Sequence, residues 1–216
     1  MKYEQNEDHW KTIALNSELQ YHKRNKWRQT DQFYVDSLEL FKKFDLTENS
    51  FKNKKILDAG CGSKLRTKVF NEAKIYALDP LANEFIKDIE WSDLKESEKI
   101  YSIPLEIFEP TLENEMDAVL CINVLDHGFE YKKQIDNLIK YLKPSAKLYL
   151  SVDINRKKKD IKHNSLLAED ILKYLSLKEN FEIIWSLIDD KTFDKAANKC
   201  LNIIGEKYAN HRRNWN

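Results

Sequence analysis

Apolar positions along the chain fall into two regimes. Up to about Arg28 the sequence is polar with scattered rings, Trp10, Tyr21 and Trp27, and holds no sustained period, which predicts an arm with one or two short helices. From Thr30, a favourable N-cap, Val35, Leu38, Phe41 and Phe44 recur near helical spacing; the helix should stop near Asp45, with a polar connection over 49–54. Beyond it, short apolar runs alternate with amphipathic stretches, the pattern of a parallel sheet covered by helices. Strands are predicted at 55–59, 74–79, 99–103, 116–122, 147–153, 181–188 and 200–205. Helices are predicted at 64–73, 83–87 and 131–142, the last burying Ile135, Leu138, Ile139 and Leu142 and stopping before Pro144. Another begins at about Ser165 with Leu167, Ile171, Tyr174 and Leu175 inward. No internal repeat is visible.

The length, 216 residues, suits one domain, read as an arm or lid over 1–30 and a domain over 31–216. Lys plus Arg and Asp plus Glu both number 36, so no global field draws the chain to nucleic acid or to an anionic membrane. Cys61, Cys121 and Cys200 lack metal or disulfide spacing, which fits a reduced cytoplasm. No stretch approaches the roughly 20 apolar residues that span a bilayer, so membrane insertion is not expected.

Chemistry concentrates at Ile56-Leu57-Asp58-Ala59-Gly60-Cys61-Gly62, a strand ending in a carboxylate and a two-glycine turn. Such a turn lets a ligand approach the backbone at the carboxyl end of the strands, where open parallel sheets bind nucleotide-type ligands. Asp79, closing the second strand, stands where an acid accepts hydrogen bonds from a ribose diol. A dinucleotide fingerprint wants a third glycine where this chain has Leu65. A carboxylate about 5 Å from a phosphate costs roughly 3 kcal/mol at an effective dielectric near 20, so Asp58 opposes pyrophosphate. S-Adenosylmethionine, with an ammonium, a cationic sulfur and no phosphate, reverses that sign; the alternative is a carboxylate that only caps the turn.

Four motifs extend the argument: Leu57-Asp58-Ala59-Gly60-Cys61-Gly62, Ala77-Leu78-Asp79-Pro80, the run from Asp117 to His127, and Tyr141-Leu142-Lys143-Pro144. In this order and spacing they resemble the class I S-adenosylmethionine-dependent methyltransferases, over residues 54–181. The resemblance implies an α/β fold, a three-layer αβα sandwich whose mostly parallel seven-stranded sheet has the order 3-2-1-4-5-7-6 with strand 7 antiparallel. It implies that Asp58 serves the methionine cation and that Gly60, Cys61 and Gly62 line the methionine part by backbone. Asp79 would hold the ribose, and Leu78, Pro80, Pro104 and Leu105 would lie beside the adenine. Cys121, Ile122 and Asn123 would floor the sulfonium, and His127 would face cofactor or acceptor. Two departures stand out. Lys64 replaces a glycine and is read as a solvated lysine, and Pro104 replaces an acidic residue, with Glu106 as the nearest substitute.

His127 and His163 are the candidate general bases, their ordinary pKa being near neutral. Arg28 or Arg24, on the aromatic-basic arm segment 21–28, would reach the cofactor carboxylate, with Trp27 and Tyr21 packing the arm on the domain. The run Arg156-Lys157-Lys158-Lys159 reads as a solvated face or an anion-binding loop, and the tail 211–215 as frayed. No metal site is assigned, Asp126, His127 and Asp153 being too sparse. The expected function is methyl transfer from S-adenosyl-L-methionine, leaving S-adenosyl-L-homocysteine, to an oxygen or nitrogen of a small-molecule or sugar-like acceptor. Nucleic acid, in a tRNA or rRNA methyltransferase, is the less favoured acceptor. A non-catalytic binding protein is the alternative from another class.

Overall fold

In a computed structural model that describes residues 6–156 and 163–208, the apolar runs become seven strands: β1 (Lys55–Ala59), β2 (Lys74–Leu78), β3 (Lys99–Tyr101), β4 (Met116–Ile122), β5 (Leu142–Ile154), β6 (Phe181–Asp189) and β7 (Lys199–Lys207). They form one sheet ordered β3-β2-β1-β4-β5-β7-β6. The first five pair in parallel, whereas β7 runs antiparallel between β5 and β6. β1 and β4 are central, with Asp58 opposite Leu120 and Ala59 opposite Cys121, and burial on both faces explains why they read as unbroken apolar runs. One apolar cluster includes Leu57, Val119, Leu138 and Leu150, and the other Ile56, Leu120, Phe41 and Phe85.

The helices are α1 (Leu15–Arg24), α2 (Gln32–Lys42), α3 (Ala82–Asp88), α4 (Tyr131–Tyr141) and α5 (Ala168–Ser176). A π-helical turn, Trp10–Ala14, leads into α1. Strand bounds agree with the sequence reading to within a few residues, apart from β5, which starts five residues early at Leu142.

Several local expectations are corrected. No helix spans 64–73; a single 3-10 turn, Arg66–Val69, stands there. The chain leaves it at Phe70, which is extended and buried, its ring 4.9 Å from Phe41 and 4.7 Å from Phe51, while Asn71 N–H donates to the carbonyl of Glu48. Tertiary packing of Phe70 overrides the local pattern. Thr30 does not cap α2: its hydroxyl donates back to the Trp27 carbonyl, and Asp31 precedes the helix. Val35 is exposed, and Phe33, Ser37 and Phe41 form the inward face. Lys64 is buried, its ammonium 4.5 Å above the Tyr34 ring, because the missing helix turns it inward. The arm packs through Trp10, Ala14 and His22 and through Trp27, whose ring stands 5.4 Å from the buried Phe33, whereas Tyr21 is 54% exposed. Residues 157–162 and 209–216, which hold most of the basic run and the tail, lie outside the described residues.

Candidate functional site

A cavity of about 630 Å³ opens at the carboxyl ends of β1, β2 and β4. Its floor is the turn after β1, where Gly60 and Gly62 have φ of 70° and 64°. A Cβ on Gly60 would stand 2.4 Å from Val124 Cγ2, and one on Gly62 would stand 2.7 Å from His22 Cε1, so close approach as well as backbone conformation demands glycine. Asp79 accepts from the N–H groups of Gly62 and Leu81, each at 2.9 Å. Burial pushes its carboxyl up to about 6 against the pull of those two bonds. A carboxylate has about four lone-pair positions, so capacity remains for a diol. Asp58 also lines the cavity, but its Oδ2 accepts from Thr67 N–H at 3.3 Å and from the Thr67 hydroxyl at 2.8 Å. Asp58 thus ties down the Arg66–Val69 turn while lining the cavity, and burial raises its carboxyl to about 6.

The arm supplies the opposite wall. His22 is held between Ser63 and Glu18, with Nδ1 2.6 Å from Ser63 Oγ and Nε2 3.0 Å from Glu18 Oε1. Burial, then the Arg28 charge, lowers the imidazole to about 4, so it is neutral near pH 7. Its Nδ1 accepts from Ser63 N–H at 3.3 Å, which places the proton on Nε2, facing the Glu18 carboxylate. Burial pushes Glu18 up, but the His22 hydrogen bond and the His127, His22 and Arg28 charges outweigh it and bring the carboxyl down to about 2. The other oxygen of Glu18 lies 3.8 Å from His127 Nδ1.

His127 sits beyond β4, where Asn123 takes φ of 58°, a left-handed conformation that Asn tolerates and that marks a constrained site. Its Nε2 is 3.4 Å from Asn123 Nδ2, its carbonyl accepts from the Trp10 indole at 2.8 Å, and its ring lies edge-on to His163 at 4.3 Å.

The cavity brings together Arg28, Asp58, Gly60, Cys61, Gly62, Asp79, Pro80, Pro104, Leu105, Ile122, Asn123, His127 and His163. Leu78 and Cys121 are not on its surface; both are fully buried in the sheet, where strand alternation turns them into the core. Arg24 is exposed. Arg156 corrects the reading of a solvated run: it is buried and paired with Asp126 at 2.7 Å and Asp194 at 2.8 Å. Glu106 lines the cavity but accepts from the N–H groups of Phe129 and Glu130 and from the Gln134 amide, which ties it to the start of α4. Glu18, His22 and Arg66 are lining residues that no motif announces; the four-residue spacing of Glu18 and His22 was the available signal.

The donor set fits the expected cofactor. Asp79 offers an acceptor pair for a diol. Arg28 presents a guanidinium whose Nε has no hydrogen-bond partner, and Arg66, lowered to about 9 by burial and then by the Arg28 charge, lies in the same wall. That positive corner suits a carboxylate.

Comparisons with known proteins agree. The methyltransferase domain family matches residues 26–198. A ubiquinone biosynthesis O-methyltransferase of Rickettsia typhi is 29% identical over 161 residues, 67% of this chain and 63% of that protein, so the chain spans less than two thirds of this relative. An uncharacterised protein of Methanocaldococcus jannaschii is 29% identical over 167 residues, 71% of this chain and 67% of its own length. Among solved structures, a Burkholderia thailandensis 1,6-didemethyltoxoflavin N1-methyltransferase bound to S-adenosylhomocysteine superposes with a TM-score of 0.63 at 17% identity, covering 96% of this chain and 93% of that one. An N-methyltransferase from Bradyrhizobium japonicum in complex with S-adenosylhomocysteine gives 0.62 at 18%, covering 90% and 98%. With the sheet order, the glycine turn, Asp79 and a family match over most of its length, the chain belongs to the methyltransferase domain family of class I S-adenosylmethionine-dependent enzymes.

Proposed function

We propose that the protein transfers a methyl group from S-adenosyl-L-methionine to an oxygen or nitrogen of a small-molecule acceptor, oxygen being favoured. The observation that carries this reading is one cavity in which Asp79, the Gly60–Gly62 turn and Arg28 face His127 and His163. The O-methyltransferase relatives favour oxygen, and a sugar-like hydroxyl remains within the class. When bound, the cofactor supplies an activated methyl group on a cationic sulfur and departs as S-adenosylhomocysteine. In this reading Asp79 accepts from the ribose hydroxyls, Arg28 pairs with the carboxylate, and Pro80, Pro104 and Leu105 pack beside the base. Ile122 and Asn123 line the reacting end. His127, with the Glu18 carboxylate 3.8 Å from its Nδ1, takes up the acceptor proton. Residues 1–30 act as an arm that shuts out water, which methyl transfer from a sulfonium requires along with in-line positioning.

The test is calorimetric titration of the full chain with S-adenosylmethionine and S-adenosylhomocysteine, followed by a screen of phenolic, sugar and amine acceptors with labelled methyl donor. Micromolar binding and label transfer to one acceptor class support the reading. No binding of either nucleoside, or binding unchanged in Asp79→Ala, overturns it.

A further inference from the structure

We propose that the carboxylate of the bound nucleoside bridges Arg28 of the arm to Arg66 of the domain and thereby holds the arm closed. Such a bridge rests on the methyltransferase reading, in which Arg28 alone pairs with that carboxylate. Both guanidiniums border the cavity. Arg28 Nη1 stands over the glycine turn, 3.4 Å from where a Cβ on Gly62 would be, and its Nε is a buried donor without a partner. Among the described residues Arg66 makes one hydrogen bond, from Nη1 to Ser37 Oγ at 3.3 Å, although a guanidinium carries several N–H donors. Phe33 adjoins both heads, its ring centre 5.4 Å from Arg28 Cζ and 4.9 Å from Arg66 Cζ. Lys64, the third cation near this ring, does not border the cavity. The acidic neighbours are Glu18 and Asp79 for Arg28, and Asp58 and Asp36 for Arg66; among the described residues none of them forms an ion pair with either head. Each is engaged elsewhere: Glu18 with His22, Asp79 with the N–H groups of Gly62 and Leu81, Asp58 with Thr67, and Asp36 with the Gln32 amide.

Two like charges gathered at one ring oppose each other. Burial and then the Arg28 charge bring the Arg66 guanidinium down to about 9, the direction expected of cations that lack a counter-ion. A carboxylate has lone pairs enough to accept from both heads at once, in charge-assisted bonds. The second guanidinium also answers a local departure from the usual pattern. A helix that opens after a glycine turn offers an anion its first backbone N–H groups and the positive end of its dipole. Here the segment forms only the Arg66–Val69 turn, and the Arg66 side chain supplies the charge. Because Arg28 belongs to the arm and Arg66 to the domain, a carboxylate between them joins the two. The His22–Ser63 contact needs no ligand. The Arg28–Arg66 bridge forms only with an acid present, and without one the repulsion between the heads works against docking of the arm.

The experiment compares S-adenosylhomocysteine with S-adenosyl-3-thiopropylamine, which keeps the nucleoside and the amine and lacks only the carboxylate. In calorimetry of the full chain the acid should bind at least about tenfold tighter than the amine. Arg66→Gln should weaken the acid at least about tenfold and the amine less than about twofold, and Arg66→Lys, which keeps the charge without the fork, should recover part of the loss. Amide protection of α1, measured by hydrogen exchange at one pH, should rise with the acid and not with the amine. In Arg66→Gln the ligand-free protection should equal or exceed that of the parent, because a repulsion is gone; a residue that only packs the wall would lower it. Equal losses for the two ligands, equal protection by them, or a fall in ligand-free protection overturns the bridge and leaves the nucleoside reading in place. Absence of binding by both ligands to the parent removes that reading and the bridge with it. Where a urea melt shows Arg66→Gln unfolded, the comparison of acid and amine on the parent decides.

Discussion

At the scale of single residues, Asp79 governs cofactor capture. Asp79→Ala removes a charge-assisted pair of hydrogen bonds and should weaken S-adenosylhomocysteine about 10- to 100-fold by calorimetry, from about 1.5 to 3 kcal/mol. Its carboxyl is raised to about 6 by burial, so the ionised acceptor is lost as pH falls through that value. Affinity should therefore drop between pH 7 and pH 5, and the drop should vanish in Asp79→Asn. Gly60→Ala forces a Cβ to 2.4 Å from Val124 Cγ2 at a positive φ and should destabilise the protein by about 1 to 3 kcal/mol in urea unfolding. Both glycines and Asp79 were legible in the sequence, because a turn that a ligand approaches allows so few residue types. Asp58 was legible as important but not as to role: only the fold shows Thr67 within reach of its carboxylate.

At the scale of elements, the strands were readable because both faces of β1 and β4 are buried and local pattern suffices. The segment after the glycine turn was not. Phe70, Lys64 and Arg66 respond to partners 20 to 40 residues away, among them Phe33 and Phe41, and these contacts dissolve the expected helix. The arm is the other element that sequence left open, since its buried side is set by Trp10 and His22 rather than by its exposed Tyr21. Its docking should depend on pH. His22 lies at about 4 when folded, below its ordinary 6.5, so the folded state binds fewer protons than the unfolded state between those values. The stabilisation is complete above pH 6.5 and is lost as pH falls toward 4, by about 3 kcal/mol in all. The groups facing this ring are Glu18, Arg28 and His127, and Glu18, at about 2, keeps its charge across the window. The protection factors of α1 amides in hydrogen exchange, corrected for the intrinsic rate at each pH, should fall on acidification from pH 7 to pH 5, and His22→Asn should flatten that dependence.

At the scale of the molecule, sheet order was legible through resemblance of the motifs, not from periodicity, which orders no strands. Phe33 shows how the parts are joined. It is fully buried in α2, with Arg28 of the arm, Lys64 and Arg66 of the glycine segment at 5.4, 5.6 and 4.9 Å from its ring centre. Phe33→Ala removes a large buried ring and the quadrupole under three cations, and should cost about 3 to 5 kcal/mol in urea unfolding while weakening nucleoside binding. No helix among the described residues is long and apolar enough to cross a membrane.

The position of His22 against Gly62 also dictates a sequence of events. Trp10, Glu18, His22 and Arg28 of the arm all border the cavity, and His22 stands over Gly62. In the proposed reading the arm lifts for entry and exit, and the dwell time of spent nucleoside is then set by the Ser63–His22–Glu18 contacts rather than by the methyl-transfer barrier. Loosening that latch with His22→Ala should shorten the residence of S-adenosylhomocysteine in stopped-flow displacement, linking the clock of the enzyme to a side chain that never meets the reacting atoms.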